Sequence, residues 1–136
     1  MADYMANERI IIVEGKTDKQ HLEVILDEQI DIICTFGTLG VERMDELIDD
    51  YNLDDRNVFV LVDEDDSGLS IRQMLTSELP HAHHINVSET YREVALTPAE
   101  LIAIELVKKG FKVKHEYLNA RHSMKNVIKG DCNGTY

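Results

Sequence analysis

The sequence predicts an α/β three-layer sandwich: a mainly parallel sheet of four to five strands flanked by helices. Three observations carry that expectation. Short apolar runs rich in β-branched residues, such as RIIIV at Arg9–Val13 and NVFVLV at Asn57–Val62, are the pattern of strands buried on both faces. Segments of ten to fifteen residues with helical apolar spacing separate them, and strands alternating with helices imply parallel pairing through right-handed crossovers. Glycine or acidic residues stand directly after each of the first three strands, where turns into helices are needed.

Taken in order, RIIIV is a central strand, and Gly15 ends it. Thr17 or Asp18 caps a helix whose apolar positions Leu22, Val24, Ile25 and Leu26 carry it to about Glu28. A second strand over Ile30–Phe36 stops at the loop Gly37–Gly40. Val41, Met44, Leu47, Ile48 and Tyr51 then recur at helical spacing. The third strand, Asn57–Val62, runs into Asp63-Glu64-Asp65-Asp66-Ser67-Gly68. The helix that follows has Leu69, Ile71, Met74, Leu75 and Leu79 on its inner face and ends at Pro80. A fourth strand is expected at Ala82–Val87, and a fourth helix from Thr97-Pro98, with Thr97 as N-cap and Gly110 as C-cap. Lys112–Leu118 reads as a fifth, edge-like strand. The expected organisation is a single domain over residues 1–118 and a polar, partly basic tail over 119–136.

At 136 residues, 43% hydrophobic and 29% charged, the chain has the composition of one globular domain. No window approaches a membrane span, and the opening MADYMANER has no signal-peptide core, so a cytoplasmic location without membrane attachment is expected. Cys34 and Cys132 form no metal or redox spacing, which suits a reducing compartment. A net charge of −12 argues against nucleic-acid binding by bulk electrostatics. Seven of the 14 basic residues nevertheless lie between 108 and 129, a stretch that reads either as a solvated tail or as a binding stripe.

Ligands of an open parallel sheet bind beyond the carboxyl ends of its strands. Glu14 follows the first strand and Asp63 to Asp66 follow the third, so the two sets converge if those strands are neighbours. Packed carboxylates repel one another unless a cation or proton neutralises them. Mg²⁺ is the natural cation, since it takes hard oxygen ligands and keeps positions for phosphate oxygens; Mn²⁺ is the substitute. The structural alternative is that Asp65, Asp66 or Ser67 caps the third helix and Glu14 is a loop residue. His81, His83 and His84 lack a partner set for zinc and are read as structural. Arg92 and Glu93 either line the same cleft or form an ion pair.

The segments VEGKTD (Val13–Asp18), FGT (Phe36–Thr38) and VDEDDSG (Val62–Gly68) together resemble the three motifs of the Toprim superfamily, which includes topoisomerases, bacterial primases, OLD-type nucleases, recombination mediator proteins and the ribonuclease that matures 5S ribosomal RNA. The nearest likeness is to the primase and ribonuclease branches. It covers residues 9–79 well and thins beyond. The resemblance implies a Toprim, Rossmann-like fold, with Glu14 as general acid, general base or metal ligand, and Asp63 and Asp65 holding Mg²⁺. It implies action on nucleic-acid phosphodiesters, as a nuclease or in phosphoryl or nucleotidyl transfer, on RNA or DNA. Lys16, Gly37 and Gly68 are the expected phosphate or substrate contacts: Lys16 as a point charge, Gly37 for close approach of the backbone.

Two functions compete. A metal-dependent enzyme uses every acid named. A non-catalytic module that binds phosphate or nucleic acid, or works with a partner protein, fits the small size and acidity but has no need of Glu14. A phosphoacceptor receiver would need paired acids after its first strand, and a haloacid-dehalogenase-type phosphatase would need Asp-x-Asp there; Glu14-Gly15 meets neither.

Overall fold

The computed structural model describes residues 8–37, 40–87 and 91–118. Strand β1 (Arg9–Val13) is its centre, with Ile10, Ile11, Ile12 and Val13 all fully buried. The two-residue period of a strand sends these side chains alternately to opposite faces. Ile11 and Val13 join one apolar cluster with Leu22, Ile25, Phe59 and Leu106, while Ile10 and Ile12 join another with Met44, Leu47, Ile71 and Leu75. A strand with two apolar faces demands a helical layer on each, which is what makes the fold three-layered.

The remaining elements are helix α1 (Lys16–Ile25), strand β2 (Asp31–Cys34), helix α2 (Val41–Tyr51), strand β3 (Asn57–Val60), helix α3 (Asp66–Glu78), strand β4 (His83–His84) and helix α4 (Ala99–Lys108). The four strands are parallel in the order β2-β1-β3-β4, with Ile11 opposite Ile32 on one side and Phe59 on the other. The chain steps one way from β1 to β2 and the other way to reach β3. The crevice between the ends of β1 and β3 is therefore the topological switch point, where an open α/β sheet takes its ligands.

Several boundaries differ from the sequence expectation, each for a local reason. Helix α1 begins two residues earlier than a Thr17 cap allows and three earlier than an Asp18 cap: Gly15 is the N-cap, and Asp18 reaches back to accept its N–H at 3.1 Å. Thr97 does not cap α4, because its hydroxyl is donated backwards to the Glu93 carbonyl at 2.7 Å; Pro98 takes the cap position instead. Gly110, at φ +90°, turns the chain after α4 so that Phe111 N–H returns to the Leu106 carbonyl. The fifth strand does not form. Lys112 to Lys114 makes a single antiparallel bridge, Val113 with Leu26 at the end of α1, and residues 115–118 then turn helical. Phe111 and Val113 still point inward, Phe111 packing edge-on against Phe59 with ring centres 4.7 Å apart. Val24, Val41, Tyr51 and Leu69, all read as helix-face apolar residues, are exposed, because each helix presents only a narrow stripe to the sheet.

Among the described residues no helix is long and apolar enough to cross a membrane. Residues 119–136, with Arg121, Lys125, Lys129 and Cys132, lie outside the described residues, as do Thr38 and Leu39 of the loop after β2.

Candidate metal centre

Glu14 leaves the end of β1 and Asp63 leaves the segment after β3, and because those strands are hydrogen-bonded neighbours the two acids face each other across the switch point. With Asp65 they form the one group of potential metal ligands among the described residues, their ligand oxygens all within 4.8 Å of one another. Oxygens on opposite sides of one Mg²⁺ stand about 4.2 Å apart, twice its usual bond length of about 2.1 Å. Adjacent oxygens around it stand closer still, so the three carboxylates are near enough to share such an ion once their side chains draw together around it.

Each carboxylate has one oxygen tied to the protein. Ser67 donates its hydroxyl to Glu14 Oε2 at 3.1 Å. Asp63 Oδ1 accepts the Val94 N–H at 2.8 Å. Asp65 is the N-cap of α3, its Oδ1 accepting the Gly68 N–H at 2.8 Å. The capping reading and the cluster reading of Asp65 thus hold together, because one carboxylate has two oxygens. Glu14 Oε1 is buried and has no hydrogen-bond partner. A buried acceptor left unpaired is costly. Burial raises the Glu14 pKa above its ordinary range, with the charges of Asp63, Asp65 and Asp18 adding to it and the Ser67 hydrogen bond opposing. Burial also raises Asp63, the neighbouring Asp65 charge adding to it. Partly buried, mutually repelling carboxylates with an orphaned oxygen are a donor set suited to a hard divalent cation.

Two neighbours complete the frame. Glu64, between the two aspartates, turns its carboxylate away to Arg72 at 3.3 Å. Asp18 is buried and has its own pKa raised, chiefly by burial, with Asp63 and Glu93 adding to it. Gly68 packs against the loop so closely that a Cβ there would stand 1.9 Å from the Asp63 carbonyl oxygen. Its N–H is already given to Asp65, so this structure uses Gly68 to bring α3 onto the aspartates. Gly37 adopts φ +106° with open space around its α-carbon, and Lys16 is the exposed first residue of α1, two positions from Glu14.

Other polar residues singled out in the sequence are occupied elsewhere. His81 Nε2 meets the carbonyls of Leu53 and Arg56, His83 stacks on Phe59, and His84 meets the Thr76 hydroxyl. Arg92 makes no ion pair with Glu93; its guanidinium donates to the Glu64 carbonyl. Sequence reasoning missed the parts played by Ser67, the Val94 amide and Asp18. Ser67 lay inside the third motif and was read only as a helix cap, and a main-chain amide 31 residues from its acceptor leaves no mark in the sequence.

No protein-family profile matches the chain. It is 40% identical over 114 residues to the uncharacterized protein YusF of Bacillus subtilis, covering 84% of this chain and 77% of that protein. A solved structure of a small Toprim domain protein from Bacillus stearothermophilus superposes with a TM-score of 0.77 at 37% identity, over 82% of this chain and 93% of that one. The chain belongs to the small Toprim domain proteins. A ribonuclease M5 of Ligilactobacillus salivarius is 34% identical over 83 residues, which is 60% of this chain but only 41% of the ribonuclease. The relationship to that enzyme thus covers less than half of its length. The Toprim fold and the acidic triad are present here; the rest of the ribonuclease has no counterpart in the match.

Proposed function

We propose that this small Toprim protein acts on nucleic-acid phosphodiesters with a divalent cation, Mg²⁺ or Mn²⁺, held by Glu14, Asp63 and Asp65. The observation that carries the reading is the meeting of these three carboxylates at the switch point with Glu14 Oε1 buried and unpartnered. When bound, the cation supplies Lewis-acid neutralisation of charge developing on a phosphoryl group. Asp63 and Asp65 are held as donors by the Val94 and Gly68 amides. With Ser67 fixing Oε2, Glu14 Oε1 either completes the cation site or, where Asp63 and Asp65 alone hold the ion, carries the proton of an acid or base, a role its raised proton affinity suits. Lys16, two positions after Glu14 and exposed, and the open backbone at Gly37 are the groups suited to phosphate oxygens in this reading. The kinship with ribonuclease M5 supports nucleic acid as the substrate class.

The chain carries a net charge of −12, so a polyanion is not drawn in by net charge. A cation at the triad, or a protein partner, has to supply that attraction. The protein works in a reducing, cytoplasmic setting in keeping with the free thiol of Cys34.

The test is incubation of the purified protein with single-stranded and duplex DNA and structured RNA, with Mg²⁺ or Mn²⁺, beside Glu14→Gln and Asp63→Asn. Metal-dependent cleavage or transfer lost in both variants supports the enzyme. Metal binding with no turnover across the panel moves the assignment to a non-catalytic phosphate- or nucleic-acid-binding module.

A further inference from the structure

The strand next to the metal centre carries a feature the triad does not use. Strand β2 is an edge of the described sheet, and Phe36 follows its end. The Phe36 N–H donates to the Glu14 carbonyl at 2.7 Å, so this residue is fastened to the backbone of the candidate catalytic glutamate. Its side chain nevertheless turns away from the core: it is 74% exposed, the most exposed large apolar residue described, and its backbone is left-handed at φ +56°. A bulky residue in that region is uncommon and strained, and strain of this kind gathers at ligand sites.

Beside Phe36 lies an open hollow at the edge of β2, between α1 and α2, whose rim includes Tyr51, Lys19 and Arg43. Tyr51 is a second exposed aromatic. Lys19 has no ion-pair partner among the described residues, and Arg43 has only the exposed, 3.4 Å contact to Glu46, too weak to hold it against a competing anion. Two exposed aromatics interleaved with two available cations, in a protein of net charge −12, form the surface that single-stranded nucleic acid recognises: bases stack on the rings and phosphates meet the cations.

We propose that this shelf binds an unpaired nucleic-acid segment, with a base stacked on Phe36 and flanking phosphates at Lys19 and Arg43. The inference rests on the reading of the triad as a phosphodiester site and adds to it a preference for single-stranded substrate. A duplex keeps its bases stacked on each other and cannot offer one to Phe36.

The protein contains no tryptophan, so Phe36→Trp places a single reporter on the shelf at an exposed position. Its emission is followed while short single-stranded RNA, single-stranded DNA or blunt duplex is added, with and without Mg²⁺. Quenching that saturates with a single strand, RNA or DNA, and not with duplex is the expected result. Phe36→Ala and the pair Lys19→Glu with Arg43→Glu should each weaken single-strand binding at least tenfold by fluorescence anisotropy while Mg²⁺ binding stays unchanged. Absence of quenching by any single strand overturns the shelf, and so does an emission change with protein concentration alone, which would assign the face to a second copy of the chain. The triad reading fails separately: single-strand quenching in a protein that cleaves nothing leaves the shelf standing, and cleavage unaffected by Phe36→Ala leaves the triad standing.

Discussion

Arg92 clasps the main chain of Glu64 with both its carbonyl and its guanidinium. The Glu64 N–H donates to the Arg92 carbonyl at 2.6 Å, and the Arg92 guanidinium returns two hydrogen bonds, at 3.1 and 2.8 Å, to the Glu64 carbonyl. This clasp joins the loop after β3 to the segment before α4, two residues from the Val94 amide that holds Asp63. Arg92 is itself left-handed, at φ 61°. Arg92→Gly therefore accepts the backbone conformation while removing the side chain and its two hydrogen bonds. Outer partners of metal ligands commonly matter by about 10- to 100-fold in affinity, and a loss of Mg²⁺ affinity in that range is expected for this variant by calorimetry, with the fold retained by circular dichroism.

Asp65 caps α3 through Oδ1 and is also a member of the acidic triad, and the two duties separate by mutation. Asparagine caps as well as aspartate, so Asp65→Asn should unfold in urea within about 0.5 kcal/mol of the parent yet bind Mg²⁺ weakly. Asp65→Ala loses both, with about 1 kcal/mol of stability gone as well. Equal Mg²⁺ binding by parent and Asp65→Asn would confine Asp65 to capping.

Gly68 has no room for a side chain, since the atom a Cβ would meet is main-chain oxygen that cannot swing aside. Gly68→Ala should lose about 3 kcal/mol or more in urea unfolding, at the upper end of overpacking effects, and lose Mg²⁺ binding with it.

The raised carboxyls of Glu14 and Asp63 set a pH dependence. The folded protein holds these protons more tightly than the unfolded chain does. Metal-free stability contributed by the two groups is thus retained at acid pH and lost as pH rises from the ordinary carboxylate range, about 4, through their raised folded values. A cation must displace the same protons to bind. The rise in Tm on adding Mg²⁺ should be small at pH 4.5 and grow toward pH 7.5, and a pH-independent increment would contradict the shared site.

Phe36 stores strain that glycine would release. Phe36→Gly, at a position already 74% exposed, should stabilise the protein by about 1 kcal/mol by removing the left-handed penalty while losing single-strand binding. Thermal unfolding and anisotropy on the same sample check the two halves.

The parts legible in the sequence were those fixed by local pattern. RIIIV marked a strand buried on both faces because four consecutive β-branched residues leave no polar side, and Glu14, Asp63 and Asp65 stood out because each follows such a run. What escaped notice depends on partners far along the chain. Whether Lys112–Leu118 pairs as a strand is decided by what it meets, and Val113 meets the end of α1 rather than a free sheet edge. Thr97 has the residue type of a cap but spends its hydroxyl on Glu93. Tyr51 and Val41 fall at helical spacing yet lie outside the stripe that faces the sheet.

The most direct measurement is a calorimetric titration of Mg²⁺ into metal-free protein, parent beside Glu14→Gln, Asp63→Asn and Asp65→Asn. One ion per chain in the parent, with affinity reduced at least tenfold in each of the three variants, is the expected result. Undiminished Mg²⁺ binding in the variants, or none in the parent, would contradict a metal centre at Glu14, Asp63 and Asp65.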